Sequence, residues 1–344
     1  SAIIIIIYTI LGGLLAVAWT DLIQGILMIG TLVILPLVGL VELSSFDQGI
    51  AELLVFDDVN KNSLFAGLTG LSALSVALGG MSWGLGYFGQ PHLLIRYMAI
   101  KSVSDIKKAK WIAALWAIPG ISGAFMVGII AAGYFGEEFF IGKDTEIAMP
   151  LLAETLLPAW VAGLLISGAV AAMMSTADSQ LLVSTSAISE DLGLNKIIKT
   201  AQSDKLMNTR YITIILGLFA YVTAMYSEYS GDTIFGIVSF AWSGLGSSFG
   251  PAIILSLWWD KTTRQGIIAG LLTGSLVTVI WGSNDYLQSL VTERLISFIL
   301  AFFAVIIVSK ITKKDKAVKI ELETKTPIQS GSYGISYTSD QKVN

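Results

Sequence analysis

Between Ala171 and Gln180 the chain reads Ala-Ala-Met-Met-Ser-Thr-Ala-Asp-Ser-Gln, which puts five oxygen-bearing side chains inside an otherwise apolar stretch. Ser175, Asp178 and Ser179 stand at i, i+3 and i+4, so a helix projects them from one side, with Thr176 beside them. Hydroxyls, a carboxylate and a nearby carbonyl are hard oxygen ligands, suited to a hard cation such as sodium. The alternative is local: Ser and Thr hydroxyls bond back to carbonyls of their own helix, and Asp178 lies close enough to an interface to be wet. An ionisable side chain within an apolar span is costly and points to function.

A second region is unusual for its backbone. Gly79-Gly80-Met81-Ser82-Trp83-Gly84-Leu85-Gly86-Tyr87-Phe88-Gly89-Gln90-Pro91-His92 holds five glycines and a proline in fourteen residues. Each Gly weakens a helix by about 1 kcal/mol relative to Ala, and Pro by about 3. Broken helices in membrane proteins line cavities or pack against protein, and transporters hold solutes at such breaks. Trp83 and Tyr87, four apart, share a helical face and suit the apolar wall of a pocket for a small ring. Close helix packing by the glycines is the other reading.

Three lesser signals accompany these two. Asp21 sits a turn or two into an apolar helix, where position alone favours an interfacial anchor. His92 reads as a solvated, interfacial histidine rather than a proton relay. The Gly/Ser-rich stretch Trp242–Pro251 reads as tight packing first and as a gate second.

The elements that position these residues follow from composition. Of 344 residues, 54% are hydrophobic and 13% charged, against about 25% charged in a soluble domain, and the mean hydropathy is +0.74. Such a chain needs lipid to cover it. The absence of cysteine excludes a disulfide framework or thiolate metal site, and a single histidine excludes a multi-histidine centre. Nothing matches a P-loop or a nucleophile triad, so neither ATP-driven pumping nor an enzyme is expected. Apolar blocks near bilayer length predict a stub at roughly 2–10 and eight full spans at roughly 15–41, 66–90, 109–133, 159–188, 208–227, 233–258, 264–282 and 291–311. A further short helix, Ala148–Leu157, is expected at the interface as a lid. The first residue is Ser1, leading straight into Ile3–Ile7, so the sequence is expected to begin inside a helix that a longer protein completes.

Charge orients the spans. Only Lys61, Lys143 and Arg294 of the 21 Lys and Arg fall in the segments after spans one, three, five and seven; the other 18 fall on the opposite side. Positive segments stay cytoplasmic, which predicts a cytoplasmic C-terminus. Residues 1–312 are thus expected to form the transmembrane core, and 313–344, rich in Lys, Glu, Thr, Ser and Gly, a flexible cytoplasmic tail.

Four stretches, GGLLAVAWTDLIQG from Gly12, SWGLGYFGQPHLLIRYMA from Ser82, MSTADSQLLVSTSAISED from Met174 and the weaker FAWSGLGSSFGP from Phe240, resemble the sodium:solute symporter family. The second of them points more narrowly to proline carriers. The resemblance covers the chain from its start to about Ser309. It implies an all-α polytopic fold built from an inverted repeat of five helices, of which this is the C-terminal portion. Asp21's helix would close the first repeat, the broken helix would open the second, and the Ser175 span would be third in it. Carried over residue by residue, Trp83, Tyr87 and Pro91 would contact proline. Ser175 and Thr176 would give side-chain oxygens, and Ala172 its carbonyl, to the coupling sodium. Asp21, Asp178 and Ser179 would belong to a second sodium site with Ser175. Many relatives carry a neutral residue in place of Asp178. Should Asp21 and Asp178 approach each other, a proton or cation must offset their repulsion. The family's first helix, which supplies the other half of both sites, is not in this sequence, so the chain by itself is not expected to transport.

The expected function is therefore sodium-coupled import of L-proline by alternating access across a bacterial inner membrane, with the lipid bilayer, sodium and solute as partners and neither nucleic acid nor an obligate protein partner. Other outcomes are the same fold carrying pantothenate, a sugar or another amino acid, and a transporter-like sensor module; the sensor would need a kinase-type extension after Ser309.

Overall fold

A computed structural model describes residues 2–45, 63, 65, 67–136, 139, 145–192, 202–230 and 233–312. The expected tail, 313–344, lies outside the described residues. Among the described residues eleven α-helices carry the fold: α1 Ala2–Leu43, α2 Gly70–Gly86, α3 Pro91–Met98, α4 Val103–Phe135, α5 Ala148–Leu156, α6 Ala159–Ser186, α7 Gln202–Ser230, α8 Ile234–Trp258, α9 Arg264–Gly282, α10 Asp285–Leu290 and α11 Glu293–Ile311. No strand occurs among the described residues, since only helices satisfy so apolar a backbone internally.

Seven segments among the described residues are long and apolar enough to cross a membrane: Leu15–Leu43, Val103–Phe135, Ala159–Asp191, Met207–Ser227, Ile234–Trp258, Arg264–Gly282 and Glu293–Ile311. The chain is a multi-pass membrane protein. The sequence led us to expect eight full spans, and the difference lies at 66–90, where α2 holds 17 residues before a 3₁₀ turn at Tyr87–Gly89. The stub is continuous with the first span except at Gly13, whose φ of 56° and ψ of −156° interrupt α1. A residue with a Cβ would be strained there. The short helix expected near 148–157 is α5.

Local chemistry starts several helices. The Ser102 hydroxyl accepts from Asp105 N, and Thr233 and Thr263 accept from Gly236 N and Gly266 N, each satisfying a donor that the helix leaves unpaired. Packing then follows two groupings. In one, α1 lies along α4 and α6, with α5 closing one end. Leu35, Ile130, Leu152 and Leu165 are its buried apolar centre. In the other, α8, α9 and α11 pack on one another. Here α8's Ser243 donates to buried Glu293 Oε1 of α11 at 2.7 Å.

The join between α2 and α3 is what positions the site. Pro91 at the start of α3 cannot donate to the preceding turn, and it forces the residue before it into extended backbone. Gln90 has φ −77° and ψ 112° accordingly. The buried Gln90 side chain fills the gap, its Nε2 donating to Gly86 O at 3.2 Å and to Trp242 O at 3.3 Å. Gly89 lies against α8 so closely that a Cβ would come within 2.6 Å of Leu245 O. The break is thus clamped onto α8.

Candidate functional site

Two clusters sit on the two halves of this broken helix. On the α2 side, Trp83, Tyr87 and α8's Trp242 form an aromatic group. The Trp83 and Trp242 rings are 6.0 Å apart, and the Tyr87 ring meets Trp242 edge-on at 4.8 Å. Trp242 Nε1 donates to Trp83 O at 3.2 Å, so one indole tethers the backbone and walls the pair. The Arg294 guanidinium stacks over Trp83 at 4.3 Å, a cation–π contact. Tyr87 keeps half its surface exposed. Pro91 begins α3 just past the turn.

On the α3 side the polar residues of three helices meet. Arg96 pairs with Asp21 Oδ2 of α1 through Nη2, and the same nitrogen donates to Ser179 Oγ of α6 at 2.6 Å. The Ser179 hydroxyl lies 2.7 Å from Ser175 O and 3.1 Å from Asp178 Oδ1. Asp178 is fully buried, and Tyr8 Oη of α1 donates to its Oδ2 at 2.5 Å. One chain of contacts thus runs Asp21–Arg96–Ser179–Asp178–Tyr8. Asp21 Oδ1 and His92 Nδ1 are buried without a partner. A cleft of about 710 Å³ opens onto this cluster, lined by Asp21, His92, Arg96 and Ser179 and by apolar residues such as Ile95 and Leu182.

The expected sodium ligands lie about a turn nearer the start of α6. Ser175 Oγ and Thr176 Oγ1 are 3.0 Å and 3.1 Å from Ala172 O. The local alternative raised by the sequence is therefore realised: both hydroxyls bond back to the helix. The three oxygens nonetheless converge on one spot, and all are hard, neutral donors. Such a set fits a monovalent hard cation, because a hydroxyl that donates to a carbonyl keeps its own lone pairs. Thr176 is exposed and Ser175 half-buried.

Two positional readings are corrected. His92 is buried at 7% exposure, not solvated; the helix after the break turns it inward beside α1 and α6. Asp21 is no lone interfacial anchor but half of an ion pair. Tyr8 and Arg96 were missed altogether. Arg96 had a signal, being four residues after His92 and hence on the same face, but it counts equally well as a cytoplasmic loop charge. Tyr8 had none, since 170 residues separate it from Asp178. The Trp242–Pro251 stretch is a tight packing surface, as first read.

Helices of spanning length, with a broken helix among them and oxygen-rich residues gathered behind its break, define a polytopic membrane protein. Comparison with known proteins agrees. The sodium:solute symporter family profile matches residues 1–274. The chain is 36% identical over 308 residues to the high-affinity proline transporter PutP of Bacillus subtilis, covering 88% of this chain and 63% of that one. It is 34% identical over 317 residues to the sodium/proline symporter of Escherichia coli, covering 91% and 61%. The solved structure of a Na+-coupled sialic acid symporter superposes with a TM-score of 0.68 at 21% identity, covering 92% of this chain and 67% of that one; this likeness shows the fold. The chain belongs to the sodium:solute symporter family. It spans little more than three fifths of the length of these curated relatives, at 61–63%.

Proposed function

We propose that the protein to which this chain belongs imports a small solute, L-proline foremost, by sodium-coupled alternating access in the bacterial inner membrane, with its C-terminus in the cytoplasm. Its role is transport rather than catalysis, and it works without an obligate protein partner. The observation that carries this reading is the placement of the broken helix. One half bears the aromatic wall Trp83–Tyr87, and the other lies on α6, the helix that bears the oxygen face Ala172, Ser175 and Thr176.

In this mechanism Trp83, Tyr87 and Pro91 take the solute ring at the break. Ala172 O, Ser175 Oγ and Thr176 Oγ1 take the coupling sodium, and Asp21, Asp178 and Ser179 belong to a second cation position. Sodium ordered against α6 steadies the broken helix and raises solute affinity, and the solute must raise sodium affinity equally. The membrane potential adds about 2.3 kcal/mol per charge per 100 mV. Proline is supported by the 34–36% identity to proline carriers.

The test is uptake of labelled L-proline by the full-length protein in vesicles, with sodium or choline outside. Sodium is expected to be required, and Ser175→Ala with Thr176→Ala to raise half-saturating sodium by at least about tenfold, the loss of one or two oxygen ligands. Uptake indifferent to both sodium and the double substitution would end this reading.

A further inference from the structure

The place between the Asp21 carboxylate and Ser179 is taken by a side chain of the protein itself. Arg96 Nη2 reaches Asp21 Oδ2 and Ser179 Oγ at once, and its partners come from α1 and α6 while Arg96 comes from α3. A sodium ion at the second cation position would need these same two oxygens. Guanidinium and ion therefore exclude each other.

We infer that Arg96 is a tethered counter-ion that trades places with the second cation during the transport cycle. The inference rests on the functional reading above and goes beyond it. Charge is the first argument. Replacing the guanidinium by a monovalent cation leaves the net charge of the Asp21, Asp178 and Arg96 group unchanged, whichever way Asp178 is protonated. The exchange is electrostatically neutral at the site. Without either cation, the Asp21 carboxylate would be left unpaired in a place only 16% exposed, which is costly. Geometry is the second argument. The Arg96 side chain is 45% exposed and that of Asp21 16%, and the cleft lined by Arg96 and Asp21 adjoins both. The long arginine stem lets the guanidinium withdraw toward water while its partners stay fixed. The role that follows is in the return step. When the cation leaves, Arg96 replaces it, and the solute-free carrier resets with its carboxylates paired.

The prediction separates two fluxes that a merely structural arginine would depress together. Net uptake needs the return of the unloaded carrier; exchange of labelled for unlabelled L-proline, with sodium on both sides, does not. In the full-length protein reconstituted into liposomes, Arg96→Gln should lower the ratio of net uptake to exchange by about tenfold, the effect of leaving a carboxylate unpaired in a partly buried setting. It should also lower the half-saturating sodium for exchange, because the competitor is gone. Arg96→Lys, which keeps the charge on a shorter stem without the planar guanidinium, should restore part of the ratio. Protein per liposome is measured for each variant. Should Arg96→Gln not reach the membrane, the Arg96→Lys ratio decides, with a fall of about threefold expected and an unchanged ratio overturning the inference. Net uptake and exchange falling in parallel, or neither changing, also overturns it. Sodium-independent exchange by the native protein would instead overturn the functional reading beneath it, whatever Arg96 does.

Discussion

Removing the Tyr8 hydroxyl should expose how much the contact across 170 residues of sequence contributes to holding α1 on α6. Asp178 is 0% exposed, and both its carboxylate oxygens are engaged, Oδ2 by Tyr8 at 2.5 Å and Oδ1 by Ser179 at 3.1 Å. In Tyr8→Phe the ring and its packing stay, but Oδ2 loses its donor in a place water does not reach. A hydrogen bond contributes about 1 kcal/mol between neutral partners and about 1.5–3 when one is charged. Tyr8→Phe should accordingly destabilise the full-length protein by about 2 kcal/mol, roughly a 30-fold change in the unfolding equilibrium. The value also reports on Asp178: a cost near 1 kcal/mol marks a neutral carboxyl, and one near 3 an ionised carboxylate. The assay is denaturant unfolding in detergent micelles, followed by tryptophan fluorescence, on Tyr8→Phe, Asp178→Asn and the double substitution. Because the two groups touch, the double substitution should cost less than the sum of the singles by at least about 1 kcal/mol. Additivity to within about 0.5 kcal/mol would refute the contact and, with it, the link from the first segment of α1 to the site.

Three further outcomes follow from close contacts. Gly89→Ala should break the clamp on α8, because its Cβ would lie 2.6 Å from Leu245 O and 2.8 Å from Gly246 Cα, both backbone atoms that cannot rotate away; we expect L-proline uptake to fall by at least about tenfold, measured against protein amount in the membrane. Gly168→Leu should drive α6 off α1, because the Thr31 hydroxyl, bonded to Leu165 O at 2.9 Å, fills the space together with Leu27 O, which would stand 2.9 Å from a Cβ at residue 168; a loss of about 1–3 kcal/mol or more in the same unfolding assay is expected. Trp242→Phe should keep an aromatic edge beside Tyr87 but lose the donor to Trp83 O at 3.2 Å, weakening L-proline competition by about two- to tenfold with half-saturating sodium little changed.

Much of the architecture was legible because a bilayer leaves a chain few choices. Apolar blocks such as 264–282 and 291–311 became α9 and α11 nearly residue for residue, since lipid permits only internally bonded backbone. The break at Tyr87–Pro91 was legible for a related reason: Pro91 dictates the backbone of the residue before it whatever surrounds it. The count of full spans went astray at the same point. Hydropathy is continuous through 66–90, but helical hydrogen bonding is not, and hydropathy says nothing of backbone continuity.

The chemistry divides differently. Residue types and helical spacing alone marked Ser175, Asp178 and Ser179 as one polar face and Trp83 with Tyr87 as one aromatic face, because such spacing is a property of a single helix. Which partners these faces meet was settled only by packing between helices far apart in sequence. Tyr8 on Asp178, Trp242 on Trp83 and Arg96 between Asp21 and Ser179 are all contacts of that kind. A charge such as Arg96 reads from sequence as a cytoplasmic marker and proves in three dimensions to be the cation that joins Asp21 to Ser179. Sequence periodicity encodes a residue's direction from its own helix axis, whereas the neighbour waiting there depends on how the helices cross.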